Sequence, residues 1–464
     1  MRKKRKLSKH ARPYRPLLEH LEDRRVLATF TEVGSLLDID LNVANEKLTV
    51  TAFPDGYLLS LADSVWTGTN TDFSSGSGTS ELAVMGIDIS DIPTTLISIR
   101  DSATGASVEF ADSDSDTKYV ASVDVRLDEP GASEVIFTGT TEFLASAGID
   151  IETTRNVRFD SGSALKTVDG DISIVANMQD VATSGDFHGV LVGLNSTIAT
   201  TGGHVLVKGQ SGGTSNSGVL VYKGGVVRTL TDGNITLKGI GASESDSLGT
   251  SINESSILAV NGDITIHGTG GQQGTSGTAH GFVISNGAKV STSGNGNITL
   301  EGQGGTSSGD YNNGVYITHS DTVVSTESGA LSINGTAGGS GASKGNYGVH
   351  IGSSGDQDGG ATVFSNTGII RIKGHGGSSS GGGNRGLIVG ESSTVAVVDG
   401  EIQLNGQGGI SQNPLSNSEN NRGTEIDRGA VRATGSGDIK ISGLGGNTSN
   451  FNSGVYIHGT SGQI

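Results

Sequence analysis

The chain has 464 residues and a net charge of −18, with 76 Gly, 6 Pro, one Trp and no Cys. The absence of Cys excludes disulfides and cysteine-based metal sites. The acidity disfavours nucleic acid as a partner, because binding to nucleic acid depends on neutralising phosphates. Many Gly and few aromatic residues favour numerous short strands joined by tight turns, and the sequence contains no apolar run long enough for a transmembrane helix.

The first 28 residues differ from the rest in charge, since they hold ten Lys or Arg and only three acidic residues. A basic segment of this kind could bind nucleic acid or a membrane surface. A signal peptide would need about 7 to 15 apolar residues after the basic stretch, but Pro13 and Pro16 interrupt the segment and no such run follows. A third interpretation comes from a family resemblance.

Residues 18–28, with the sequence LEHLEDRRVLA, resemble the LEPR-XLL domain, a short motif at the start of very large bacterial surface and extracellular proteins. His20 stands where that motif has Pro. The positions that match are Leu18, Glu19, Leu21, Glu22, Asp23, Arg24, Arg25 and Leu27. The resemblance implies export to the cell surface or the medium. We therefore expect residues 1–28 to be a short disordered or helical targeting segment outside the fold.

Residues 29–95 alternate apolar and polar residues as strands do, for example in LLDIDLNV (36–43) and KLTVTAF (47–53). We expect this region to form an N-terminal β cap that shields the first open strand edge of the domain that follows. Trp66 is predicted to be a packing residue of the cap.

Alternating carboxylates occur in the segment DSDSD, at Asp112, Asp114 and Asp116. Calcium loops alternate carboxylates in this way, but Thr117 stands where an EF-hand loop has Gly. A weak calcium site is the only metal or cofactor site that the sequence predicts, and a solvated acidic turn is the competing interpretation.

A G-x-apolar-x-apolar-x motif recurs nine times from Gly170 onward, at spacings of 29 to 39 residues. Such a period indicates stacked units that share one core. Each unit contains three short strands: the motif itself, a Gly-Val-x-Ile strand after a Gly/Ser-rich loop, and a short strand containing Val or Ile. This predicts an all-β, right-handed parallel β-helix of about nine coils of about 33 residues over residues 96–464, clearest in 170–464. The pattern is similar to that of haemagglutinin-like β-helical adhesin repeats.

The second strand of each unit carries the most informative column of side chains. Its outward positions are predicted to be unusually apolar and aromatic for an exposed surface, and such a stripe marks contact with a partner. The proposed contacts, with a glycan or another cell-surface component, are Tyr316, His350, Tyr456, Leu191 and Leu220. The competing interpretation is that the Gly/Ser-rich loop before each second strand folds back and covers this column.

Catalytic signals are weak. The segment RIKGHGG (371–377) contains strings found in polygalacturonase-like enzymes, but fused, reversed and in repeat register, so repeat geometry accounts for His375. No pair of carboxylates recurs at positions that suggest an acid and a base. The sequence therefore predicts a protein that is not an enzyme and binds no cofactor.

These features together predict an exported structural or adhesin-like protein of the cell surface or extracellular space, making multivalent contacts. One alternative is a β-helical polysaccharide lyase or hydrolase, and a second is an N-terminal fragment of a larger surface protein. An uncapped β-helix edge also invites pairing, so end-to-end self-association is expected.

Overall fold

A computed structural model describes residues 28–33, 36–53, 56–62, 64–66, 81–85, 96–112, 118–243, 247–272, 277–352, 359–410, 420–447 and 451–459. Within these ranges the secondary structure consists of 39 β-strands in three long sheets, without a helix. The three sheets correspond to the three strands expected in each repeat unit, and they are called here the first, second and third sheets.

The first sheet has 14 strands and contains all nine repeats of the G-x-apolar-x-apolar-x motif. In spatial order its strands are Thr29–Val33, Leu36–Leu41, Leu96–Asp101, Ser122–Leu127, Ile149–Thr153, Ile172–Ala176, Val205–Gln210, Ile235–Ile240, Ile264–Thr269, Ile298–Gln303, Leu331–Thr336, Ile370–His375, Ile402–Gln407 and Ile439–Leu444. All neighbours from Leu36–Leu41 onward are parallel; only the pairing of the first two strands is antiparallel.

The second sheet has 15 strands and the third has 10. The second comprises Glu81–Met85, Gly56–Ala62, Lys47–Phe53, Ser107–Phe110, Glu134–Phe137, Asn156–Phe159, Val190–Val192, Ser217–Tyr222, Leu248–Asn253, Phe282–Ser285, Val315–Ile317, Val349–Ile351, Leu387–Val389, Thr424–Asp427 and Val455–His458. The third comprises Thr140–Glu142, Ala164–Thr167, Thr197–Thr200, Val226–Thr229, Ser256–Ala259, Lys289–Thr292, Val323–Thr326, Thr362–Ser365, Thr394–Val397 and Ala430–Ala433. Because the chain visits the sheets in turn and each strand pairs in parallel with its counterpart one unit later, the predicted parallel β-helix is confirmed.

The core consists of stacked columns of inward side chains. Strands of the first sheet alternate buried and more exposed residues, as in Ile172–Ala176, because successive side chains of a strand point to opposite faces. Ile174, Val207 and Leu237 occupy one such column and are fully buried. Toward the N-terminus the column on the second sheet is aromatic, with stacked rings whose centroids lie 5.0 and 4.4 Å apart, formed by Phe110, Phe137 and Phe159.

The N-terminal region shares the parallel pairing of the β-helix, although the boundary of the β-helix was expected at residue 96. Leu36–Leu41 pairs in parallel with Leu96–Asp101, and Lys47–Phe53 pairs in parallel with Ser107–Phe110. The parallel ladders therefore begin inside the region expected to be a separate cap, and only the outermost strands of this region pair antiparallel.

Trp66 is buried in this N-terminal region, as predicted. Its indole N–H donates a hydrogen bond to the carbonyl oxygen of Leu59 at 3.2 Å, and Phe30 meets its ring edge-on at a centroid distance of 6.1 Å. A buried Trp needs both a packing partner and an acceptor, and this one has both.

The loops that precede the second sheet are held by a ladder of buried Asn residues, which was not predicted from the sequence. Asn346 Oδ1 accepts hydrogen bonds from the backbone N–H and the Nδ2 of Asn312, at 2.9 and 3.1 Å. Asn384 Oδ1 accepts from Asn346 in the same way, at 3.2 and 2.9 Å, and the backbone N–H of Asn384 donates to Asn421 Oδ1 at 2.8 Å. The signal was the recurring triplet Asn-x-Gly, which ends at the Gly opening several of the second strands, among them Gly314, Gly348, Gly386 and Gly423.

Candidate functional site

The predicted outward column of the second sheet exists as a single ladder in register. Arg158 pairs with Leu191, and each later member pairs with its counterpart one coil further on. The members after Leu191 are Leu220, Ser251, Val283, Tyr316, His350, Ile388, Glu425 and Tyr456. The repeat alignment therefore identified the correct residues for this face.

Exposure along this column is uneven. Leu191, Leu220, Tyr316 and Tyr456 are half-buried. The intervening members are buried, namely Ser251, Val283, His350, Ile388 and Glu425. The column is thus a series of half-exposed positions separated by covered ones, so burial removes the intervening members from the predicted contact surface.

Aromatic side chains from the position just before two strand-opening Gly residues pack on the column at Tyr316 and His350. His280 lies 5.3 Å from the ring of Tyr316, and Tyr347 meets the ring of His350 edge-on at 5.0 Å. His350 also stacks on Tyr316 at 4.7 Å and is only 2% exposed. The proposal that His350 contacts a partner is therefore corrected: its ring is sandwiched and supports Tyr316.

The Gly residues themselves are required by close approach between the first and second sheets. A Cβ on Gly348 would lie 2.2 Å from the backbone nitrogen of His375, and one on Gly281 would lie 2.4 Å from that of Gln303. Contacts this short are not tolerated, so the strand-opening Gly positions fix how closely the second strand passes the end of the first.

An ionic cluster continues the same surface toward the C-terminal end. Glu425 is 1% exposed and forms ion pairs with Arg385 and Arg422, and His458 Nε2 lies 3.2 Å from its Oε1. The guanidinium of Arg422 lies 3.6 Å from the ring centroid of Tyr456, a cation–π contact. A buried carboxylate requires such partners, because an unpaired charge in this environment is costly.

Arg385 joins the ionic cluster to the aromatic one, because its Nη1 donates to the hydroxyl of Tyr347 at 2.9 Å. The result is one connected surface, called here the aromatic–arginine ladder. Its residues are His280, Tyr316, Tyr347, His350, Arg385, Arg422, Glu425, Tyr456 and His458.

Burial sets the ionisation of two of these rings. It lowers the pKa of His280 to about 4, so this imidazole is neutral near pH 7. Burial also raises the pKa of Tyr347, against the opposing effect of Arg385.

The metal-ligand candidates fall in two places. Asp112 Oδ1 accepts a hydrogen bond from the backbone N–H of Thr140 at 3.0 Å, while Asp114 and Asp116 lie outside the described residues. Glu425, Asp427 and His458 bring three ligand atoms within 4.8 Å of one another. However, Arg385 and Arg422 already neutralise Glu425, so the second cluster favours ion pairs over a metal cation.

A separate, concave feature lies on the outer face of the first sheet. It is a groove of about 400 Å³ at the ends of four successive strands. His267 Nδ1 lies 3.0 Å from Glu301 Oε2 within it, and Lys373 and His375 line it as well. Repeat geometry alone was expected to account for His375. This convergence was not predicted, because the four residues come from three different coils.

The class of protein that these observations define is a parallel β-helical repeat protein. Comparison with protein-family models, with curated proteins and with solved structures finds no match. The LEPR-XLL-like residues 18–28 lie outside the described part of the chain. Among the residues that the structure describes, no helix is long and apolar enough to cross a membrane.

Proposed function

We propose that the chain is an exported, non-enzymatic protein of the cell surface or extracellular space, with a structural or adhesive role. The observation that carries this proposal is the in-register column of the second sheet, which repeats similar positions along a rod. Repeated weak sites on a rigid support add through effective concentration, so modest individual contacts can give firm attachment. The resemblance of residues 18–28 to a motif of surface proteins supports export.

The contacts are proposed at the half-exposed members of the column. Tyr316 and Tyr456 offer partly accessible rings held in place by His350 and by Arg422. A rigid ring with an apolar face and a polar edge suits a sugar, which also has an apolar face and polar groups. Leu191 and Leu220 extend the same surface toward the N-terminal end. A surface glycan is therefore the proposed partner.

The test is a glycan-array and divalent-ion binding screen on the full chain. The Tyr316→Ala, Tyr456→Ala double variant should lose saturable binding while keeping its unfolding midpoint. Tyr222→Ala is a matched control, because Tyr222 is also half-buried on the second sheet but lies outside the aromatic–arginine ladder. Unchanged binding by the double variant, or equal loss in the control, would refute the proposed contact surface.

The alternative of a β-helical enzyme acting on acidic polysaccharide rests on one observation, the groove on the first sheet. Lys373, His267 and His375 supply candidate bases there, as a lyase needs. Among the described residues, Glu301 is the one carboxylate that lines the groove, so they do not supply the pair that glycoside hydrolysis uses. Incubation with polygalacturonate, followed by ultraviolet absorbance of unsaturated ends and a reducing-end assay, decides between the alternatives. We expect no product; chain cleavage lost on Lys373→Ala would establish the enzyme.

A further inference from the structure

The outward charge of the first sheet changes sign along the rod. In the strands from Leu36–Leu41 to Ile149–Thr153, the outward positions carry acidic residues, with two Arg among them: Asp38, Asp40, Arg100, Asp124, Arg126, Asp150 and Glu152. From Val205–Gln210 onward they carry basic residues, with one acidic exception: Lys208, Lys238, Glu301, Arg371, Lys373 and Lys440. A chain of net charge −18 thus presents a basic face on one sheet.

The positive charge of this face is not neutralised throughout. In the acidic part Arg126 pairs with Asp124 at 3.0 Å and with Glu152 at 3.6 Å, so its charge is internally balanced. In the basic part, Lys238 and Lys373 are exposed, and no carboxylate in the described part of the chain forms an ion pair with either of them. These two ammonium groups are therefore available to an external anion.

The two lysines belong to one column. Lys238, His267, Glu301, Asn334 and Lys373 occupy matching positions in five successive strands. At the spacing of neighbouring strands, the lysines lie about 19 Å apart along the rod. The groove of about 400 Å³ lies between the two lysines. Lys373 lines one end of the groove, and Lys238 lies on the strand next to its other end.

The lining of the groove indicates the class of ligand. Besides the charged residues and His it consists of amides, hydroxyls and Gly, including Gln303, Asn334, Thr269 and Thr336. Amide and hydroxyl groups donate and accept hydrogen bonds as sugar hydroxyls require. No Phe, Tyr or Trp is among the described residues that line it, so these residues offer no ring on which single-stranded nucleic acids stack. A polymer extended along the rod axis contacts the outward side chains of successive strands in turn.

We propose that this basic face binds an anionic polysaccharide, carboxylated or sulfated, which lies along the groove of the first sheet. Lys238 and Lys373 pair with its acidic groups, and the amides and hydroxyls between them bind its sugar hydroxyls. The site lies on a different sheet from the contact surface proposed above and does not depend on it. Variants of Tyr316 and Tyr456 should leave it intact, so each proposal can fail alone.

The test is calorimetric titration of the full chain with polygalacturonate, dextran sulfate and neutral dextran, at low and at physiological salt. The wild-type chain should bind polygalacturonate, dextran sulfate or both, and should not bind dextran. The double variant Lys238→Ala, Lys373→Ala should bind the anionic polymers about tenfold more weakly, as expected from losing two exposed ion pairs. Binding should also weaken as salt rises. Comparison of the titrations with polygalacturonate and with dextran sulfate shows whether the site prefers carboxylate or sulfate groups.

The matched control is Lys166→Ala, Lys289→Ala, which removes the same charge from the third sheet. It should change affinity by less than about twofold. Lys373→Arg should retain binding, because the charge is preserved. Binding to neither anionic polymer, equal binding to dextran, or equal weakening by the control would overturn the proposal. An oligonucleotide that binds as tightly as the polysaccharides would overturn the assigned ligand class.

Discussion

Replacing Asn346 by Ala tests whether the buried Asn ladder holds the loops that support the second sheet. Asn346 is fully buried, and its Nδ2 donates to Ser343 Oγ and Asn384 Oδ1, both at 2.9 Å. Its Oδ1 is the acceptor for the backbone N–H of Asn312 at 2.9 Å. The substitution leaves that buried N–H without its acceptor, which costs about 1–3 kcal/mol. Together with the lost donor contacts we expect about 3 kcal/mol of destabilisation, roughly a 100-fold change in the folding equilibrium.

The assay is urea unfolding followed by circular dichroism, with hydrogen exchange at the amide of Asn312 as a local readout. Asn405→Ala is the matched control, since Asn405 is exposed on the outer face of the first sheet. The control should change stability by less than about 0.5 kcal/mol. A loss below about 1 kcal/mol for Asn346→Ala, or unchanged exchange at Asn312, would refute the reasoning, because a buried donor would then have found another acceptor.

Three further predictions concern the core, the acid stability and the assembly of the chain. Phe137→Ala removes the middle ring of a buried aromatic stack and should lower the free energy of unfolding by about 3–5 kcal/mol in a urea titration. Because burial lowers the pKa of His280 from 6.5 to about 4, the unfolded chain binds a proton between these pH values that the folded chain does not bind. The contribution of His280 to stability should therefore be complete above about pH 6.5 and be lost as the pH falls toward about 4. His280→Gln should lessen this loss in unfolding curves measured at several pH values. Leu444 and Ile457 are 64% and 42% exposed in the last described coil. The double variant Leu444→Asp, Ile457→Asp should therefore reduce the concentration-dependent self-association of this chain, measured by sedimentation velocity. A wild-type chain that is already monomeric at high concentration would contradict the expectation.

The coil architecture was predictable because two periods coincide in the sequence. Alternation within each strand identified inward residues such as Ile174 and Val207, and recurrence of the motif aligned them across coils. The start of the helix was not predictable in this way. The partner of Leu36–Leu41 is Leu96–Asp101, and the longer intervening segment hides the period.

The candidate site was predictable in its register but not in its exposure. Repeat alignment placed Tyr316, His350 and Glu425 in one column. The covering groups of His350 and Glu425 come from the residue just before the Gly that opens their own strand, which is Tyr347 beside His350 and Arg422 beside Glu425. That position varies from coil to coil, so periodicity carries no information about it. The first-sheet groove was missed because its charged residues come from different coils.

The direction of the interstrand hydrogen bonds has a mechanical consequence. In all three sheets the bonds between coils run along the rod axis, because each strand pairs with its counterpart in the next coil. A force that pulls the two ends apart therefore loads the coil interfaces in series, and each interface bears the whole load. Under tension the rod should open at its weakest interface and unwind coil by coil, extending far while the force stays low. Such a rod would extend under load before its attachments to other molecules break.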